Sequence, residues 1–247
     1  FFAALIPMLL LGFISTQQTE VLNRHLIDET EAALLQQAKA GAQRQATDRA
    51  ELINKELERV EDGMRHLTDY ATHLYAHPES YGDYPHPSHY ERHPTLGFYW
   101  TPYDEGNSTL FVSSRTAITP ELLKEIHLSE HLDPLFKALF ESNENLASVY
   151  INTEDNLNRL YPWYDVEEAV AGDILSPDYD IHSPDFPFYF LADVQHNPQR
   201  RVVWTDVYLD PVGRGWMVSC ISPVYLPDGQ LKGVLGADVT VDKLVSN

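Results

Sequence analysis

The chain opens on an uncharged apolar run, Phe1 to Ile14, which stops abruptly at the polar stretch Thr16 to Glu20. A membrane-spanning helix needs about 20 apolar residues, so this run is expected to be the end of a span, residues 1–15, and not a whole one. From Thr19 to about Leu74 there is no proline and there are only two glycines, Gly41 and Gly63, in a sequence dense in Ala, Gln, Glu, Leu and Arg. That composition predicts one long helix over 16–75. In its second half Ile53, Leu57, Val60, Met64, Leu67, Ala71 and Leu74 recur at spacings of four and three, the seam of two packed helices. A weaker stripe of Leu22, Leu26, Leu34, Ala38, Ala42 and Ala46 precedes it. Two partners fit such a seam: the core of the same chain, or the same helix of a second chain in a parallel homodimer.

After Leu74 the pattern breaks into Tyr, His and Pro, which predicts a loop. Its His77, His86, His89 and His93, with Asp83 and Glu91, match no metal-site spacing, so a solvated loop or a pocket cap is expected and no cofactor. Strand-like runs follow at Gly97–Tyr103 and Thr109–Ser114, then a helix from Pro120 to about Phe140 and a strand from Leu146 to Asn152. An irregular segment leads to three strands, Val202–Leu209, Trp216–Tyr225 and Lys232–Thr240, joined through P-V-G-R-G and L-P-D-G-Q turns. The predicted fold class is α+β: a long N-terminal helix, then a module over 76–247 with a five-stranded antiparallel sheet flanked by helices.

Charge narrows the partners. The chain has 37 acidic and 17 basic side chains and a formal net charge of -20, a field that repels phosphate backbones, so no nucleic-acid partner is expected. Its single cysteine, Cys220, sits inside a predicted strand and reads as a small buried hydrophobe. Enzyme signatures are missing: there is no G-x-S-x-G, H-E-x-x-H, P-loop or G-x-G-x-x-G, so no catalytic residues are assigned.

The long helix, V-Y-I-N-T-E-D-N, P-F-Y-F-L-A, W-T-D-V-Y-L-D, I-S-P-V-Y and G-V-L-G-A-D-V-T occur in an order that resembles the membrane-distal module of double Cache (dCache, PAS-like) sensor domains. The resemblance implies an extracytoplasmic, ligand-binding part of a bacterial inner-membrane receptor, a chemoreceptor, histidine kinase or diguanylate cyclase. It also implies a small-molecule ligand, a homodimer through the N-terminal helix, and a membrane anchor. In the amino-acid-binding branch of that family an Arg and a Trp grip the ligand carboxylate, while a Y-x-D and a closing Asp hold its ammonium. Here Phe186 stands where the Arg would be, Phe188 replaces the Trp, and Tyr189 matches. Tyr208, Asp210 and Asp238 keep the acidic end, and Asp185 adds a carboxylate.

A carboxylate ligand without a bidentate arginine would be a desolvated anion among aspartates, whereas a cation would gain charge-assisted hydrogen bonds and cation–π contacts. A small cationic amine is therefore the expected ligand. A competing cluster, Arg159, Tyr161, Trp163, Tyr164 and Asp165, offers one arginine among aromatic rings and suits a small organic acid or amino acid. A stalk or protein-interaction module is the alternative of another class. Trp204 and Trp216 are expected as core or cross-strand residues.

Overall fold

The computed structural model describes residues 2–210 and 213–246, with side chains from Phe13 to Asp210 and from Gly213 to Leu244. The expected membrane-span end falls for the most part on side chains outside these; among the described residues no helix is long and apolar enough to cross a membrane. Helix α1, Phe2–Ala76, runs through the proline-free region as its composition dictates. The chain divides into two compact units, Phe1–Lys55 and Glu56–Asn247. The first is helical throughout its described residues and leaves Leu22, Leu26 and Leu34 more than half exposed.

The second unit is an α+β module. Short strands β1 (Glu91–Arg92) and β2 (Tyr99–Trp100) lead to β3 (Thr109–Val112). Helices α2 (Pro120–Ser129) and α3 (Asp133–Ser142) follow, then strands β4 (Leu146–Thr153) and β5 (Leu157–Tyr161), and the short helices α4 (Val166–Ala171) and α5 (Pro187–Phe190). Strands β6 (Val203–Trp204), β7 (Tyr208–Leu209), β8 (Trp216–Tyr225) and β9 (Leu231–Thr240), with helix α6 (Val241–Ser246), complete it. The sheet order is β1-β2-β3-β5-β4-β9-β8-β6, with β7 also paired to β8, and every described pairing is antiparallel.

Among the described residues nine strands therefore stand where five were expected, yet β3, β5, β4, β9 and β8 form the long central five. The others are two residues each, too short to show alternation in the sequence. Strand β5 takes residues expected in an irregular segment, and the expected strand Val202–Leu209 is divided into β6 and β7. The helix expected from Pro120 to Phe140 is interrupted by a 3-10 turn, Glu130–Leu132, and restarts at Asp133 with Pro134 in its first turn, where a missing N–H costs nothing.

The two faces of this sheet are covered differently. Val60, Met64, Leu67, Ala71 and Leu74 of α1, all at most 2% exposed, share one core with Leu132 and Phe136 and with Val149, Ile151, Cys220, Leu235, Ala237 and Val239 of the strands. The second half of the seam is thus an intramolecular contact. Trp204 donates its indole N–H to Glu61 Oε1 at 2.9 Å beside that core. Trp216, expected in a core or cross-strand pair, is 60% exposed because it starts β8 at the sheet's rim.

Strand alternation sends the intervening residues, Ser148, Tyr150, Asn152, Ser219, Ile221, Val234, Gly236 and Asp238, to the other face. There Tyr150 lies flat across its cross-strand partner Gly236. A Cβ at 236 would stand 2.1 Å from Tyr150 Cζ, so only glycine leaves room for the ring.

Candidate functional site

On that second face the segment between β5 and β6 arches over the strands and leaves a cleft with a cavity of about 50 Å³. Phe111, Leu160 and Tyr150 form its floor, and Tyr164, Tyr179, Phe188 and Tyr208 its aromatic walls. Asp238, Asp210 and Arg214 supply the charge.

Each of these groups is held by its element. Asp238 projects from the middle of β9 and is only 2% exposed. Its Oδ2 accepts from Ser148 Oγ and its Oδ1 from Ser219 Oγ, both at 2.6 Å. Tyr208 Oη lies 2.7 Å from Ser219 Oγ and donates over 3.5 Å to Asp238 Oδ1. Burial pushes the Asp238 carboxyl above the usual carboxylate range, against the opposing pull of Arg214 and the two serines. Asp210, at the end of β7, accepts from the backbone N–H of Arg214 at 3.0 Å and from its Nε at 2.9 Å. Tyr164 is pinned to β3, where its N–H donates to Thr109 Oγ1 at 2.7 Å. Phe188 on α5 packs its ring 5.6 Å from Tyr208 and edge-on to Tyr150 at 6.1 Å.

Tyr150 Oη is buried and has no hydrogen-bond partner among the described residues. The hydroxyl of Ser219 nearby is already committed to Asp238 and Tyr208. A buried hydroxyl left unpaired costs roughly 1–3 kcal/mol, and this one borders a cleft with room for a ligand's polar group.

The structure brings together Tyr164, Phe188, Tyr208, Asp210 and Asp238 of the expected residues. It separates the others. Asp185 is exposed and bonded to Ser183. Tyr189, one residue after Phe188 on α5 and so about 100° around the helix, donates to Glu154 instead. Trp163 donates to Thr101 O at 3.4 Å, and Tyr161 packs against Phe140 on the helix-covered face.

Arg159 also corrects the expectation. Asn158 and Leu160 line the cleft, so alternation along β5 turns Arg159 to the opposite face, where it is 0% exposed. There Nε donates to Ser129 Oγ at 2.9 Å, Nη1 to Asp133 Oδ2 at 3.2 Å, and Nη2 to Tyr90 Oη at 2.8 Å and Ile126 O at 3.0 Å. Its donors are spent on tying α2, α3 and the loop before β1 to the sheet.

Among the cleft residues missed from the sequence were Tyr150, Tyr179 and Arg214. Tyr150 was accessible to reasoning, since it shares the parity of Ser148 along β4. Arg214 was not, because it lies in a turn whose direction is set by Gly213 and Gly215. The histidine-rich loop lines no part of this cleft, and among the described residues no group of three His, Cys, Asp or Glu is placed to hold a metal ion.

Residues 132–246, which include β4, β5, β8, β9 and most of the cleft, match the family described as methyl-accepting chemotaxis protein-like, first PDC sensor domain. In this segment the chain is thus similar to the first PDC sensor domain of chemoreceptor-type proteins. The PDC module is the Cache-type ligand-sensing fold that the order of motifs implied.

Among solved structures, the ligand-binding domain of Campylobacter jejuni chemoreceptor Tlp3 in complex with L-norvaline is similar at 18% identity and a TM-score of 0.41, over 80% of this chain and 58% of that one. The ligand-binding domain of Pseudomonas aeruginosa PAO1 PctC in complex with GABA is similar at 24% identity and a TM-score of 0.33, over 46% of this chain and 43% of that one. That of PctB in complex with L-Arg is similar at 22% identity, with a TM-score of 0.33, over 52% and 44%. The chain thus spans less than two thirds of the length of each. No curated protein matches it.

Proposed function

We propose that the chain is the extracytoplasmic sensing part of a bacterial chemoreceptor and that its cleft takes a small cationic amine. Asp238 would accept the ligand's ammonium while Phe188, Tyr164 and Tyr208 face its carbon skeleton. The observation that carries this reading is a buried carboxylate beside an unpartnered buried hydroxyl in a cleft walled by aromatic rings. An ammonium supplies three donors, and a desolvated charge-assisted hydrogen bond is worth about 1.5–3 kcal/mol.

The signal would leave through the sheet itself. On β9, Asp238 faces the cleft while its neighbours Ala237 and Val239 belong to the core shared with Val60 and Met64 of α1. A ligand that favours one packing of β9 on α1 by about 1–3 kcal/mol would suffice to bias a receptor. Residues 1–15 as the end of a membrane span and 16–75 as the signalling helix complete the proposal.

The exposed Leu22, Leu26 and Leu34 point to pairing of two chains through α1. Sedimentation equilibrium of the full chain at micromolar concentration should return a dimer, and a clean monomer would remove this part of the reading.

A thermal-shift screen of the full chain tests the ligand class, with one panel of amines lacking carboxylates and another of amino acids and small organic acids. A stabilising shift with amines is expected, and a shift confined to organic acids would overturn the reading. The pH dependence has a definite sign. An alkylammonium keeps its charge down through the acid range, whereas Asp238 takes up a proton above the ordinary carboxylate value of about 3.9. Amine affinity is thus expected to fall as the pH is lowered through the Asp238 titration, and calorimetric titrations from neutral to acid pH that show no weakening would exclude Asp238 as the acceptor.

A further inference from the structure

The cleft already contains a cation. Arg214 follows Asp210 in the turn before β8 and lines the same space as Asp210 and Asp238. Gly213 and Gly215 on either side adopt φ of +82° and +96°, a region that L side chains rarely enter, and this tight turn carries the guanidinium back over the cleft. Two aspartates, 6% and 2% exposed, face each other across that guanidinium. The set carries one net negative charge.

Its two attachments are unequal. Arg214 grips Asp210 with both its backbone N–H and its Nε, at 3.0 and 2.9 Å. It reaches Asp238 only through Nη2, at 3.4 Å, which is long for a charge-assisted bond. The side chain is 29% exposed, so it has a way out toward solvent.

We propose that Arg214 is an internal stand-in for the ligand's cation: its Nη2 holds the seat on Asp238 until a ligand's ammonium displaces it, while Arg214 stays on Asp210. This inference rests on the reading of the cleft as an ammonium site and adds what sets its selectivity. A buried Asp238 without any counter-charge would be costly, so the unliganded fold needs a resident cation. A ligand must then compete with a tethered guanidinium, which screens out weak cations. Displacement also gives the Arg214 side chain a position that depends on ligand.

The test is calorimetric titration of the full chain and of Arg214→Gln and Arg214→Gly with propylamine and with methylguanidinium, each variant first checked for a cooperative thermal transition. Removing the competitor is expected to raise propylamine affinity about tenfold, the worth of one charge-assisted hydrogen bond. Methylguanidinium, which resembles the deleted head group, is expected to bind Arg214→Gly and to raise its melting temperature more than that of the unaltered chain. Arg214→Lys keeps a resident cation and should leave propylamine affinity within a few-fold of the unaltered value.

If propylamine binds the unaltered chain as tightly as Arg214→Gln, or more tightly, Arg214 is not the occupant although the ammonium site stands. If neither cation binds any form, the ammonium reading fails and this inference fails with it.

Discussion

Replacing Arg159 by alanine is expected to lower the unfolding free energy by about 3–5 kcal/mol, a large share of the roughly 5–15 kcal/mol that holds a domain together. The guanidinium is fully buried, and its removal strands the Asp133 carboxylate, itself 4% exposed, with no counter-charge. Burial already pushes the Asp133 carboxyl above its ordinary range even with Arg159 present to pull it down. Ser129 Oγ, Ile126 O and Tyr90 Oη would each lose a donor as well. Urea denaturation reads the loss, and the double variant Arg159→Met with Asp133→Leu should recover much of it, because a well-packed apolar pair can replace a buried ion pair. An Arg159→Ala chain destabilised by less than about 1 kcal/mol would mean that the arginine is not structural, and the organic-acid reading would regain its ground.

Asp238→Asn should behave in the opposite way, sparing the fold while abolishing the response. A carboxyl whose folded pKa is raised costs stability once it ionises: between its unfolded and folded pKa values the folded state holds the extra proton, so stability falls as the pH rises through that window. Removing this charge therefore should not lower the melting temperature at neutral pH. The hydroxyls of Ser148 and Ser219 can turn to meet the amide, and Arg214 keeps its two bonds to Asp210. Amine affinity, by contrast, should fall at least about 100-fold, some 2.7 kcal/mol, for the loss of a desolvated charge partner. Tight amine binding by a well-folded Asp238→Asn chain would place the ammonium elsewhere.

These two residues show what could be read in advance. The periodic elements were legible: a proline-free helix, a heptad seam at Val60, Met64, Leu67, Ala71 and Leu74, and the long strands around Val149, Cys220 and Leu235. The motif order led to the Cache-type module, and Phe188, Tyr208, Asp210 and Asp238 meet in one cleft. What failed was the parity of single positions. Arg159 and Tyr161 alternate with Leu160 and face the helices, and Tyr189 is turned from Phe188 by the helical twist. Reading β5 as irregular hid that parity. Arg214 escaped because two positive-φ glycines aim it, and backbone reversal leaves no hydrophobic pattern behind. The identity of the seam's partner also lay beyond periodicity, which fixes spacing and not whether the facing surface is a second helix or, as here for Val60 to Leu74, a sheet of the same chain.

The most direct measurement is a crystal structure of the chain with the tightest-binding amine from the screen. The proposal predicts the ligand's nitrogen within about 3 Å of an Asp238 oxygen, its carbons against Phe188 and Tyr164, and Tyr150 Oη newly paired. An amine seated away from Asp238, or a carboxylate-bearing ligand held by another group while Asp238 keeps only its present partners, would contradict it.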